Sequence, residues 1–99
     1  MRLTDEQVQI IRQVARQQLG DTVQVTLFGS RVFDDKKGGD IDLFFETEQV
    51  LANKANAICQ LYAALIMKLG DRKIDVVIKD ADSSDQPIYE IAKRTGIKL

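Results

Sequence analysis

The stretch Leu27-Phe28-Gly29-Ser30, followed after nine residues by Asp40-Ile41-Asp42-Leu43, decides how the chain folds and what it can do. Thr22 to Phe28 reads as a strand, because Val23, Val25 and Leu27 alternate with Thr22, Gln24 and Thr26. It runs into Gly29-Ser30, where the spacing predicts a sharp turn and a short helix beginning near Arg31. Glycine lets the chain turn and lets a bulky ligand approach the backbone. N–H groups at a helix start point at an anion, and the Ser30 hydroxyl adds a donor. In outline this is a phosphate cradle. Asp40 to Glu46 reads as a second strand, with Ile41, Leu43 and Phe45 on one face and Asp40, Asp42, Phe44 and Glu46 on the other.

Aspartate is depleted in strands, yet two stand here among Ile, Leu and Phe. Two neighbouring carboxylates repel unless a cation neutralises them. Oxygen ligands of this kind suit Mg²⁺, which binds one or two carboxylates together with phosphate oxygens. Lys73 to Lys79 reads as a further strand, with Ile74, Val76 and Ile78 on one face and Asp75 on the other. If that strand lies beside the second, Asp40, Asp42 and Asp75 converge on one sheet face and meet the needs of a two-metal site. A lone Gly-Ser or Asp-x-Asp is common in turns and on solvated faces. The combination, in this order and with these strands, is far more specific. Asp34 and Asp35 read as loop solvation, and Glu46 as rim.

Outward from this core, Thr4-Asp5-Glu6-Gln7 is a capping box that opens a helix through Val8, Ile11, Val14, Ala15 and Leu19, ended by Gly20. Leu51, Ala55, Ile58, Tyr62, Leu65 and Leu69 predict a long helix over 49–69, widened by Leu61, Ile66 and Met67. It either buries this stripe against a sheet or leaves one flank for a partner chain. Cys59 reads as a small core residue within it. Ser83-Ser84-Asp85 supplies caps and Pro87 a first turn for a last helix, which ends near Lys93-Arg94 before Gly96. The expected fold is one α+β domain over 1–99: a small mixed β-sheet, helices packed on one face, and the metal site on the other.

Composition narrows the function. The chain has 99 residues, 44% hydrophobic and 29% charged, with 14 basic and 15 acidic residues and a formal net charge of −1. Strong nucleic-acid binding, which needs concentrated basic surface, is not expected. There is no histidine, so His-based zinc sites, general bases and triads are excluded, and a single cysteine excludes an intrachain disulfide. No apolar run is long enough to span a bilayer and no signal-peptide shape is present, so a cytoplasmic setting is the default.

Phe28-Gly29-Ser30, then Asp40-Ile41-Asp42-Leu43, then Lys73-Ile74-Asp75-Val76-Val77, resembles the DNA polymerase β-like nucleotidyltransferase superfamily. Within it the chain is similar to the minimal nucleotidyltransferases (the MNT, or MntA-like, antitoxin group). The resemblance covers essentially the whole chain, including a closing segment from Ile88 to Leu99. It implies the polymerase β-like fold, two Mg²⁺ ions and ATP as substrate, with AMP transferred to an acceptor hydroxyl and pyrophosphate released. By position, Gly29 and Ser30, with Arg31 beside them, would bind the nucleotide's phosphates. Asp40 and Asp42 would bind the metals, and Asp75 would complete the catalytic metal's shell and favour deprotonation of the acceptor. Minimal members commonly pair with an all-helical HEPN protein and adenylylate one of its tyrosines as an antitoxin. One departure stands in the sequence. Members often carry a second basic residue soon after the first, whereas Val32-Phe33-Asp34-Asp35 follows Arg31, leaving Lys36 or Lys37 to supply it from the loop. Two other functions stay open: a binding module that neutralises a partner by occlusion, and an enzyme acting on a small molecule or RNA end. A homo-oligomer stays open as well.

Overall fold

The computed structural model describes residues 3–29, 40–70 and 72–99. The elements run α1 (Asp5–Leu19), β1 (Gln24–Phe28), β2 (Ile41–Glu46), α2 (Lys54–Leu69), β3 (Ile74–Lys79), α3 (Pro87–Thr95) and β4 (Ile97–Lys98). The expected short helix near Arg31 lies outside the described residues, as do Ser30 and Arg31 themselves.

The capping box forms as read. Gln7 N–H donates to the Thr4 hydroxyl at 3.1 Å, and Thr4 N–H donates to Gln7 Oε1 at 2.9 Å. Ile11, Val14, Ala15 and Leu19 share the buried face of α1. The sheet has the order β3-β2-β1-β4. β1 pairs antiparallel with β2, while β2 pairs parallel with β3. A parallel pair needs a long crossover connection, and α2 provides it. The sheet is therefore mixed. α1 and α2 cover one face, where Leu27, Leu43, Phe45 and Ile78 meet Ile11, Val14, Leu61 and Leu65.

Several expectations need correction. The helices do not all pack on one face: α3 lies on the face that carries the aspartates. Phe44 shares that face and is fully buried, stacked on Tyr89 with ring centroids 5.5 Å apart. Ala92, Phe28 and Val77 complete this second cluster. An aromatic ring on a half-polar face gains by being covered, and the Tyr89–Ala92 pair, three residues apart on α3, covers it.

α2 begins at Lys54 rather than 49, because the Asn53 side chain caps it, accepting from Asn56 N–H at 3.0 Å. Its buried stripe runs Leu61, Leu65, Leu69, turned slightly from the expected one. Tyr62 and Met67 are consequently 41% and 86% exposed. Cys59 is exposed as well, not a core residue. The cap of α3 is Gln86, with no side-chain bond. Ser83 is occupied elsewhere, and Ser84 and Asp85 are exposed. The last residues form a strand the sequence reading did not include: Thr26 faces Lys98 and Leu27 faces Ile97. Among the described residues no helix is long and apolar enough to cross a membrane.

Candidate metal centre

The register between β2 and β3 sets Asp42 directly beside Asp75, and the register between β1 and β2 sets Phe28 on the other side of Asp42. One sheet face thus carries a row Asp75–Asp42–Phe28. The next row on that face is Val77–Phe44–Thr26, and α3 covers it. Among the described residues, α3 does not extend over the aspartates' end of that face. Asp40 lies one step further out along β2, and one carboxylate oxygen from each of Asp40, Asp42 and Asp75 falls within 4.8 Å of the others. Asp40 and Asp42 are half-buried and Asp75 is exposed.

Crowding shows in the electrostatics. Burial pushes the Asp42 carboxyl up to about 6. Its hydrogen bond with Asp75 and the charges of Asp75 and Asp40 push it the same way, while Lys73 opposes them. Lys73 Nζ lies 3.4 Å from Asp40 Oδ2. Gly29 closes the arrangement. Its φ is +76°, a region that side chains disfavour, and a Cβ there would collide with the Asp42 carboxylate. The chain turns at glycine because the carboxylate occupies the space a side chain would take.

Three oxygen ligands, mutually repelling when charged, fit a hard divalent cation such as Mg²⁺. The bare backbone of Gly29 packs against the Asp42 carboxylate and fixes the position of that ligand. The structure brings together Asp40, Asp42, Asp75 and Gly29. The remaining predicted positions, Ser30 and Arg31, lie outside the described residues. Glu46, expected at the rim, sits at the opposite end of β2, 3.5 Å from Lys93 Nζ.

The sequence reading missed Asp80, a buried carboxylate at the far end of β3. It accepts from Leu51 N–H at 2.9 Å and from the Ser83 hydroxyl at 2.7 Å. Those bonds hold its carboxyl below the usual carboxylate range, the Leu51 N–H contributing most. Lys54 Nζ extends the network, donating to Ser83 Oγ at 2.9 Å and to the Tyr89 hydroxyl at 3.1 Å. The network ties the start of α2 to α3 and is structural. Its signal was the Asp-x-x-Ser spacing just after a strand, a common turn device. In comparisons with known proteins, the sequence matches no family model and no curated protein.

Proposed function

We propose that this chain is a Mg²⁺-dependent nucleotidyltransferase that moves AMP from ATP to an acceptor hydroxyl, the acceptor being a tyrosine of a helical, HEPN-type partner. The observation that carries the reading is the in-register pair Asp42–Asp75, with Asp40 in reach and Gly29 held bare against Asp42.

Asp40, Asp42 and Asp75 would hold the metal. Bound there, Mg²⁺ would neutralise phosphate charge and lower the pKa of the attacking hydroxyl. The chain's own part is positional. Gly29 lets the Asp42 carboxylate pack directly against the backbone and so fixes where that ligand sits. Ser30 and Arg31 follow directly in sequence and supply a hydroxyl and a guanidinium suited to phosphate oxygens. Asp75 is the most exposed of the three carboxylates and marks the side from which an acceptor hydroxyl can arrive. α3 covers the neighbouring row of the same face, with Tyr89 and Ala92 packed on Phe44.

The exposed face of α2 supports a protein acceptor. Between Lys54 and Lys68 the helix carries no charge, and Cys59, Tyr62, Ala63 and Met67 are exposed. Uncharged surface with Tyr and Met resembles the composition of binding interfaces. The same face favours a second reading, in which the chain neutralises a partner by binding alone. Label transfer from α-³²P-ATP with Mg²⁺ separates the two, using the protein with its co-purifying partner and Asp42→Asn as control. Label on the partner, absent in the control, supports adenylyl transfer. An intact complex without label supports the binding module.

A further inference from the structure

We infer that Lys73 is a second phosphate-binding cation of this site, held in reserve on Asp40 until a divalent cation displaces it. The inference rests on the nucleotidyl-transfer reading.

Lys73 sits where such a role requires. Ile41 N–H donates to the Lys73 carbonyl at 3.1 Å. The register that pairs Ile41 with Ile74 therefore brings Lys73 alongside Asp40. Two residues before Asp75, it shares the aspartates' face. Gly29 flanks the carboxylates from the β1 side and Lys73 flanks them from the β3 side, so an anion seated over the acids lies between the two. The other described lysines in ion pairs with carboxylates are at the far end of the sheet: Lys79 with Asp85 and Lys93 with Glu46.

Its present bond is easily given up. The Lys73 side chain is 73% exposed and its contact with Asp40 is 3.4 Å long. Exposed pairs of this kind are weak. A divalent cation on Asp40 brings twice the charge at shorter range and takes the ammonium's place. Lysine has a four-carbon stem and rotatable donors, so the freed ammonium can turn to a phosphate oxygen held at the same cation. No bond is made or broken in this exchange; one counter-ion replaces another.

The consequence is a pair of effects with opposite sign. Lys73 competes with a bare metal and assists a metal–triphosphate complex. Binding of Mn²⁺ alone, followed by electron paramagnetic resonance, and binding of Mg·ATP, followed by calorimetry, are compared in the intact chain, Lys73→Met and Lys73→Arg. Lys73→Met is expected to bind Mn²⁺ about 2- to 5-fold tighter, the range of an exposed ion pair removed. It should bind Mg·ATP about tenfold more weakly, the scale of a lost charged hydrogen bond. Lys73→Arg should recover nucleotide affinity to within about threefold, since it keeps the charge. If Lys73→Met leaves Mg·ATP affinity unchanged, or weakens metal and nucleotide together, Lys73 is only a structural ion-pair partner and the inference falls while the proposed function stands. If the unsubstituted chain binds neither Mn²⁺ nor Mg·ATP, both fall.

Discussion

Gly29 carries two constraints at once: a positive φ and a carboxylate in the place of a Cβ. Gly29→Ala should therefore cost about 1–2 kcal/mol of stability and displace Asp42. The check is a thermal melt together with Mn²⁺ affinity. A variant with unchanged melting temperature and metal affinity would show that the turn has slack the geometry denies. Asp42 titrates in an informative window. Its folded pKa, about 6, lies above its ordinary value of 3.8. The stability it lends is full below about pH 3.8 and is lost as pH rises to about 6. After allowance for solvent screening at a half-exposed site, the loss is about 1 kcal/mol. Asp42→Asn should accordingly flatten the metal-free stability profile between pH 4 and 6 and abolish transfer. A lower melting temperature at pH 7 for the Asn variant would mark Asp42 as a structural residue instead. Metal affinity should fall as pH drops below about 6, because a protonated Asp42 gives up its place as a ligand.

At the scale of elements, Asp80 links β3 to the loop before α2. Asp80→Ala removes the acceptor of the Leu51 N–H and the Ser83 hydroxyl in a part-buried setting. The cost should be about 2–3 kcal/mol, read as a fall of about 10 °C or more in Tm. The direction of its pKa shift gives the opposite pH sign to Asp42. Asp80 stabilises above the ordinary carboxyl pKa, and that contribution is lost as pH falls further into acid. Stabilities from denaturant titrations of the parent chain and Asp80→Asn should converge as pH falls below about 4, and a constant difference would remove Asp80 from the account. α2 shows the reverse case, an element whose outer face contributes little to the fold. Met67 is 86% exposed, so Met67→Glu should shift stability by less than about 0.5 kcal/mol. It should nevertheless sharply reduce recovery of a co-purified partner. Retention of the partner would send the search for the interface to another face.

At the scale of the whole molecule, the sheet is finished by its last residues and loaded by its acids. β4 contributes two residues, yet Leu99 N–H reaches Val25 O at 2.8 Å and the strand covers the open edge of β1. An uncovered edge invites pairing between chains. At the other end, three carboxylates gather on a chain whose net charge is only −1. Because a metal that binds only the folded state stabilises it, Mg²⁺ at 100 times its Kd should add about 2.7 kcal/mol. A melt that does not move with Mg²⁺ or Mn²⁺ would argue that the acids hold no cation. Asp42→Asn separates this effect from general salt screening.

By itself the sequence determined the succession α1, β1, β2, α2, β3 and α3, the capping of α1, and the face on which Asp40, Asp42 and Asp75 stand. Those properties follow from local periodicity, because the pleat and the helical turn assign neighbours to faces without reference to the rest of the chain. Only the tertiary structure decided what depends on contacts distant in sequence. Asp42 and Asp75 are neighbours through the parallel register of two strands separated by a helix. Phe44 is buried, and α3 has crossed to the aspartate face, because a ring 45 residues away stacks on it. The Cys59, Tyr62 and Met67 side of α2 is exposed because the sheet selects Leu61, Leu65 and Leu69 from a helix apolar nearly all round. Such a helix offers no single stripe strong enough to fix its rotation, so packing, not pattern, chose the face.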